Sequence, residues 1–461
     1  MKIWSFLKKQ MLKNPTQYIC ENNAEMNYAD LVAYAEIFAK KLASETCCAV
    51  MCNSEMAQAI GILSCFAANV TVVPISLKYG EAHCKRIIKF ISPSALITDL
   101  NGELNILKFD VSNHKRNKDV ALIMCTSGTT GTPKGVMLSH KNIICNVSDI
   151  SQYYSLNSKD SILISRPLYH SGVLTGEFLL GLIRGARVRF YSDKFNPYMI
   201  LNLINQYSIT SLCATPTMWN TICRCCREPN HTLKSIGISG ECLSRDIGNK
   251  ILNTFPNAKI HHGYGLTEAS PRVSYLPYKE FKYYMEYVGI PLRSVKIKIL
   301  THNGKIAKRG ESGILWVKGN NVMMGYYQSP ELTRKTIRDG WLCTGDIAKI
   351  DDNGYLKILG RSDDLIIRAG MNIYPQEIES IVRLDKRVND VYVYGVENNK
   401  TGVGLAMDIV GDFESNDEVR KMCCDMLPAY QVPVSISIVP SLNKTPTGKI
   451  VRKRADGRAG T

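Results

Sequence analysis

Apolar positions along this chain change period several times, and each change marks an element. "VALIMCT" (120–126), "ARVRFY" (Ala186–Tyr191) and "SLCATP" (211–216) are short apolar or alternating runs of the kind that form strands, and helical patterns separate them. From Tyr28 to Ala43, "YADLVAYAEIFAKKLA" sets Leu31, Tyr34, Ala35 and Phe38 at helical spacing with its lysines off that stripe, which predicts a surface helix lying on a sheet. Strands alternating with helices predict an α/β fold. After Tyr327 the texture shifts: "DDNGYLKILGRSDD" (351–364) offers a turn, a short strand and a polar stretch able to join two domains, so a boundary is expected near Gly360.

Length supports that division, because 461 residues exceed what one hydrophobic core usually organises; residues 1–360 and 361–461 are the expected domains. With 45% apolar and 21% charged residues and no low-complexity tract, the chain reads as globular. The most apolar stretch, Ala49 to Leu77, is interrupted by Asn53, Glu55, Gln58 and Asn69, so no uninterrupted run reaches the roughly 18 residues of a membrane span. The start, "MKIWSFLKKQ", is cut short by Lys8 and Lys9 and lacks the apolar core of a secretion signal, so the expected location is the cytoplasm.

The 16 cysteines are scattered, and in that compartment they are expected to be reduced. Cys223, Cys225 and Cys226 with His231 lack a second ligand pair at zinc-finger spacing and read as structural residues. A net charge of +16, from 57 basic and 41 acidic residues, favours anionic partners such as nucleotides, coenzyme A or an acidic carrier protein. The one dense basic run, "KIVRKR" (449–454), comes without zinc-finger or basic-zipper spacing, so nucleic acid is not the expected partner.

Candidate chemistry begins with "MCTSGTTGTPKGV" (124–136). Its glycines permit a loop whose backbone N–H groups turn toward one anion, while Thr126, Ser127, Thr129 and Thr130 add hydroxyl donors and Lys134 a cation. A Walker A loop is excluded, because Lys134 follows Gly131 by three residues and is succeeded by glycine.

This stretch and five others in order, "PLYHSG" (167–172), "GYGLTEAS" (263–270), "GWLCTGD" (340–346), "GRSDDLIIRAGMNIYPQEIE" (360–379) and "KTPTGKIVRK" (444–453), resemble the adenylate-forming superfamily. That superfamily contains acyl-CoA synthetases, peptide-synthetase adenylation domains and firefly luciferase. The resemblance implies a large N-terminal domain of stacked α/β sheets and a small, mobile α+β C-terminal domain. It also implies ATP and Mg²⁺ as cofactors, with a carboxylate attacking the α-phosphate to give an acyl-adenylate.

Two anions must then meet, so the site has to supply positive charge where negative charge crowds. By resemblance Lys449 reaches the carboxylate and α-phosphate, Thr267 hydrogen-bonds phosphate, and Glu268 with Thr126 holds Mg²⁺. The phosphate loop is Thr126, Ser127, Gly128, Thr129, Thr130, Gly131 and Lys134. Tyr264, within Gly263 to Leu266 (including Gly265), is expected to stack on adenine, beside Gly240 and Glu241. Asp346 and Arg361 are expected on the ribose hydroxyls, near Ile358. Ser239 departs from the family's first glycine in that adenine-side turn, and Cys125 stands where an aromatic residue is common.

The Tyr169-His170 pair resembles the histidine pattern of acyl and aryl ligases, whereas amino-acid-activating relatives carry an aspartate for the ammonium group. The nearest acid, Glu177, lies seven residues beyond His170 and reads as a helix residue. The expected substrate is therefore a fatty or aryl acid. The acceptor is a phosphopantetheine thiol, most simply that of coenzyme A, with a carrier protein as the alternative. Gly370 is expected to make room for the pantetheine arm, and Asp363 of "GRSDD" is the expected hinge.

Overall fold

The computed structural model describes residues 1–100, 102–109, 117–126, 133–368, 371–398, 402–444 and 450; Ser127, Gly128, Thr129, Thr130, Gly131, Gly370 and Lys449 lie outside the described residues. Among the described residues, nine strands form one sheet in the order Ile290–Pro291, Arg272–Leu276, Lys259–Gly265, Ser235–Ile238, Ser211–Ala214, Ser161–Ile164, Arg187–Phe190, Tyr18–Glu21 and Ala24–Asn27. Its inner strands are parallel and both margins are antiparallel. A seven-stranded sheet runs Gly325–Tyr326, Lys134–Ser139, Val120–Thr126, Thr71–Pro74, Cys47–Val50, Ala95–Leu100 and Glu103–Lys108. A third sheet is built on Trp341–Ile350, which pairs with Gly313–Gly319, Ile337–Arg338 and Leu356–Arg361.

Helices fill the space between the first two sheets. The helix Glu55–Ala67 packs against Tyr18–Glu21 on one side and against Cys47–Val50 and Thr71–Pro74 on the other, and is buried nearly all round. Its polar residues survive this because each is satisfied: Gln58 accepts from the Cys52 N–H and donates to the Val50 and Ile75 carbonyls, and Glu55 accepts from the Leu168 N–H at 3.0 Å. The stretch that seemed most apolar is thus a central layer.

Tyr28–Lys41 is the expected helix, capped by the Asn27 side chain on the Asp30 N–H. It buries Leu31, Ala35 and Phe38 with Val32, and Tyr34 is half-buried. Its support differs from the expectation. It packs on the helices Ile3–Met11 and Glu55–Ala67, because the latter already occupies the strand faces.

Helices Pro197–Gln206, Pro216–Cys225 and Arg245–Thr254 cover the outer face of the nine-stranded sheet around Trp219 and Phe255. A separate core draws only on residues beyond 365, among them Ile366, Ile378, Val391, Leu405 and Val419, under a three-stranded sheet of Val388–Asn398, Gly402–Gly411 and Ser435–Ile438. Among the described residues no helix is long and apolar enough to cross a membrane.

Candidate active site

The three large sheets meet at one place. Strand Lys259–Gly265 of the first delivers Tyr264, and the backbone then turns through a single 3-10 turn, Thr267–Ala269. Close packing requires the glycines beside Tyr264: a Cβ on Gly263 would lie 2.4 Å from Arg272 Nη1, and one on Gly265 would lie 2.1 Å from the Pro271 carbonyl oxygen.

From the third sheet come Asp346 and Arg361, direct cross-strand partners on antiparallel strands. The Tyr264 hydroxyl donates to Asp346 Oδ2, and Arg361 Nη1 donates to Asp346 Oδ1 at 3.0 Å. Burial, then the Asp346 carboxylate, pushes the Tyr264 phenol well above its ordinary range. Asp346 is 6% exposed, so it is no surface turn residue.

The second sheet contributes Thr126 and Lys134, cross-strand partners at the two ends of the glycine-rich segment. On its margin, Tyr326 pairs with Val136 and donates its hydroxyl to Glu268 Oε1 at 2.9 Å. The Met323 N–H also donates to the Glu268 carbonyl at 2.9 Å. Lys134, Leu266, Glu268, Tyr326, Lys335 and Arg361 are among the residues lining a cavity of about 230 Å³. Three cations and one carboxylate on a single cavity suit a polyphosphate with a hard divalent ion, which is held by one or two carboxylates plus phosphate oxygens.

Behind this cavity, Thr267 Oγ1 lies 3.1 Å from Ser171 Oγ, the residue after His170. His170 Nε2 is 2.8 Å from the Tyr79 hydroxyl, whose pKa burial pushes up to about 12. Tyr169 donates to the Cys125 carbonyl and so ties the His170 loop to the strand that enters the glycine-rich segment.

On the far side, Glu241 accepts from the Thr217 N–H and hydroxyl at 3.1 and 2.8 Å, and Gly240 takes a left-handed φ of 98°. Cys242 Sγ stands 4.0 Å from the Ile358 carbonyl and 3.3 Å from Gln376 Oε1, which brings the Gly240-Glu241 turn beside Ile358. Asp363 is exposed in the one-turn helix Ser362–Asp364. Lys444 and Ile450, flanking the segment that holds Lys449, pair as an antiparallel bridge, and Lys444 is tied to Asp390 at 2.6 Å.

One expectation needs amendment. Glu177 does lie in a helical segment, but this is a π-helical stretch, Leu174–Leu179, where the carboxylate is buried against Arg166 at 2.5 Å. Cys223 is buried in its helix, while Cys226 donates to the Glu228 carbonyl and His231 meets Asn257. Sequence reading missed Tyr326, Ser171 and Tyr79. Tyr326 stands in "MMGYYQ", but which edge strand it joins is not a local property of that motif.

A family model described as AMP-binding enzyme matches residues 7–327, and one described as AMP-binding enzyme C-terminal domain matches residues 377–449. The chain belongs to the AMP-binding enzyme family. A long-chain-fatty-acid–CoA ligase of Yersinia pestis is 32% identical over 402 residues, covering 84% of this chain and 69% of the relative. A feruloyl-CoA synthase of an Amycolatopsis species is 32% identical over 348 residues, covering 74% and 70%. Against a long-chain-fatty-acid–CoA ligase of Haemophilus influenzae the match spans 61% of the relative. Among solved structures, ATP-bound MatB of Rhodopseudomonas palustris superposes with a TM-score of 0.85 at 25% identity, covering 98% of this chain and 97% of that one. The O-succinylbenzoate coenzyme A synthetase of Bacillus subtilis, in complex with ATP and magnesium, has a TM-score of 0.82 at 24% identity, covering 98% of each chain.

Proposed function

We propose that this protein is an ATP-dependent, AMP-forming acid–thiol ligase that activates a carboxylic acid as its acyl-adenylate and passes the acyl group to the thiol of coenzyme A. The observation that carries this reading is the convergence of Tyr264, Asp346 and Arg361 with Glu268 and Lys134 from three sheets. In it, Asp346 offers its remaining lone pairs to the ribose diol while Arg361 donates beside it, and the Tyr264 ring faces adenine. Lys134 and the Thr126 hydroxyl take phosphate oxygens, and Thr267 donates to the α-phosphate. Glu268, oriented by Tyr326, holds Mg²⁺, which neutralises phosphate charge when bound. His170 faces the acid, which lacks an α-amino group because the nearest carboxylate, Glu177, is already paired with Arg166.

Residues 361–461 act in this reading as the moving part. Lys449 serves adenylation, Gly370 admits the pantetheine arm, and Asp363 is the pivot. We place the reaction in the cytoplasm, supported by 16 cysteines that are all free thiols.

Pyrophosphate release across a panel of fatty, aryl and amino acids, with coenzyme A and carrier proteins as separate acceptors, tests the reading. Release is expected with ATP, Mg²⁺ and an acid lacking an α-amino group, followed by thioester on coenzyme A. Lys449→Ala is expected to slow adenylation about 10²- to 10³-fold, on the scale of one oxyanion donor, and to spare transfer from presynthesised acyl-adenylate. Calorimetry that detects no ATP binding in the presence of Mg²⁺ defeats the proposal.

A further inference from the structure

Directly behind Thr267 lies a polar interior that the nucleotide site does not use. Arg272 opens the strand Arg272–Leu276, and its guanidinium fills the space left by two glycines: Gly263, beside Tyr264, and Gly176, whose Cβ would lie 3.7 Å from Nη2. Gly176 immediately precedes Glu177 in the π-helical segment. Such segments are rare insertions that gather at functional sites.

Charge here does not balance. Glu177, 1% exposed, is paired with Arg166 through Oε1, and Arg272 is the second cation facing it. Among the described residues the Arg272 guanidinium makes no hydrogen bond, and its Nε is buried without a partner, as are Arg166 Nε and Glu177 Oε2. Arg272 is half-buried, with its Nε enclosed and its guanidinium making no ion pair among the described residues, so two guanidinium groups share one carboxylate. A guanidinium is matched by a planar two-oxygen acceptor.

Polar atoms without partners and aromatic rings gather around this guanidinium. Ser274, two residues along from Arg272, and His261, two before Gly263, each keep a buried polar atom without a partner. Tyr153 and Tyr275 stack at 4.0 Å, and Tyr154 lies 4.5 Å from the His261 ring, so a flat aromatic wall stands beside the cation. The Ser171–Thr267 contact joins the start of the helical segment that carries Gly176 and Glu177 to the turn just before Arg272.

We infer that Arg272 is a specificity-determining residue that receives a second carboxylate on the acid substrate, so that this protein activates dicarboxylic acids in preference to plain fatty acids. The inference rests on the ligase reading and narrows its substrate class. One carboxylate is presented to the α-phosphate near Thr267, and the other pairs with the charge that Glu177 leaves over.

The test is ATP–pyrophosphate exchange on matched pairs, hexanoate against adipate and cinnamate against 4-carboxycinnamate. The wild type is expected to favour each diacid by at least about tenfold in kcat/KM, since a site built to bind a polar group rejects the analogue lacking it. Arg272→Leu is expected to reverse that preference, while Arg272→Lys retains part of it. Equal use of both members by the wild type, or a uniform loss on both in Arg272→Leu, overturns the inference. Exchange with no acid at all defeats the ligase reading instead. Titration calorimetry of the same diacids then decides Arg272 independently: binding by the wild type that Arg272→Leu loses upholds the inference, and no binding by either overturns it.

Discussion

Tyr326 donates its hydroxyl to the Glu268 carboxylate at 2.9 Å across 58 residues of sequence, joining the edge of the seven-stranded sheet to the turn that ends the strand carrying Tyr264. A carboxylate with one oxygen held this way presents the other in a fixed direction. Tyr326→Phe is therefore expected to raise the Mg²⁺ concentration needed for half-maximal pyrophosphate exchange by about tenfold, the lower end of what outer-shell partners contribute. The rate at saturating Mg²⁺ stays near wild type, whereas Glu268→Gln loses activity that added metal does not restore. An unchanged metal dependence in Tyr326→Phe counts against this assignment.

Asp346 is the common acceptor for Tyr264 and Arg361, so Asp346→Asn removes a charge that two donors share. The Arg361 side chain is 54% exposed, and water readily rehydrates it, so the stability loss is expected to be no more than about 1 kcal/mol. Substrate binding reports the change more strongly. KM for ATP is expected to rise about tenfold, as for a lost hydrogen bond to a charged group. A large drop in melting temperature with unaltered KM for ATP would give Asp346 a scaffold role instead.

Three buried imidazoles weaken the fold in acid. Burial, then the charges of Lys259 and Arg272, holds His261 down at about 3, burial, then Lys2, holds His140 at about 4, and burial holds His262 at about 4. Unfolded imidazoles titrate near about 6.5. Between those values the folded chain binds fewer protons than the unfolded one, so stability rises with pH and is lost as pH falls from about 6.5 toward 4. At pH 5 each contributes a loss of about 2 kcal/mol by this linkage. Melting curves from pH 7 to 5 should show the decline, and His261→Asn should make it shallower by that one share; superimposable pH profiles for the two proteins refute the assignment.

Asp363→Pro tests the pivot. Asp363 is exposed in a one-turn helix just after Gly360, whose φ is 153°. Proline fixes φ near roughly −65°, which restricts rotation there. Adenylation, followed by pyrophosphate exchange, is expected to persist, while single-turnover thioester formation slows by about tenfold or more, as for a gating motion. Equal slowing of both steps, with a lower melting temperature, would mean that Asp363 only stabilises its turn.

Much of this protein was legible in its sequence wherever the physics is local. A short, unbroken apolar run located "VALIMCT", which is buried at all but its last position, and a period of 3.6 located Tyr28–Lys41, since backbone geometry dictates which residues of a helix share a face. The glycines around Tyr264 stand where no Cβ fits, and the six motifs were legible because each is a run of consecutive residues. What folding alone decided are the partnerships between motifs: Tyr264 with Asp346 over 82 residues, Ser171 with Thr267 over 96, Tyr79 with His170 over 91. Each depends on which strands become neighbours, and that is settled by the packing of whole layers. Burial behaves the same way. Glu55 and Gln58 look like interruptions of an apolar run until two sheets enclose their helix and supply the partners, and Arg272 is half-buried only because Gly176 and Gly263 are brought beside it from two other elements.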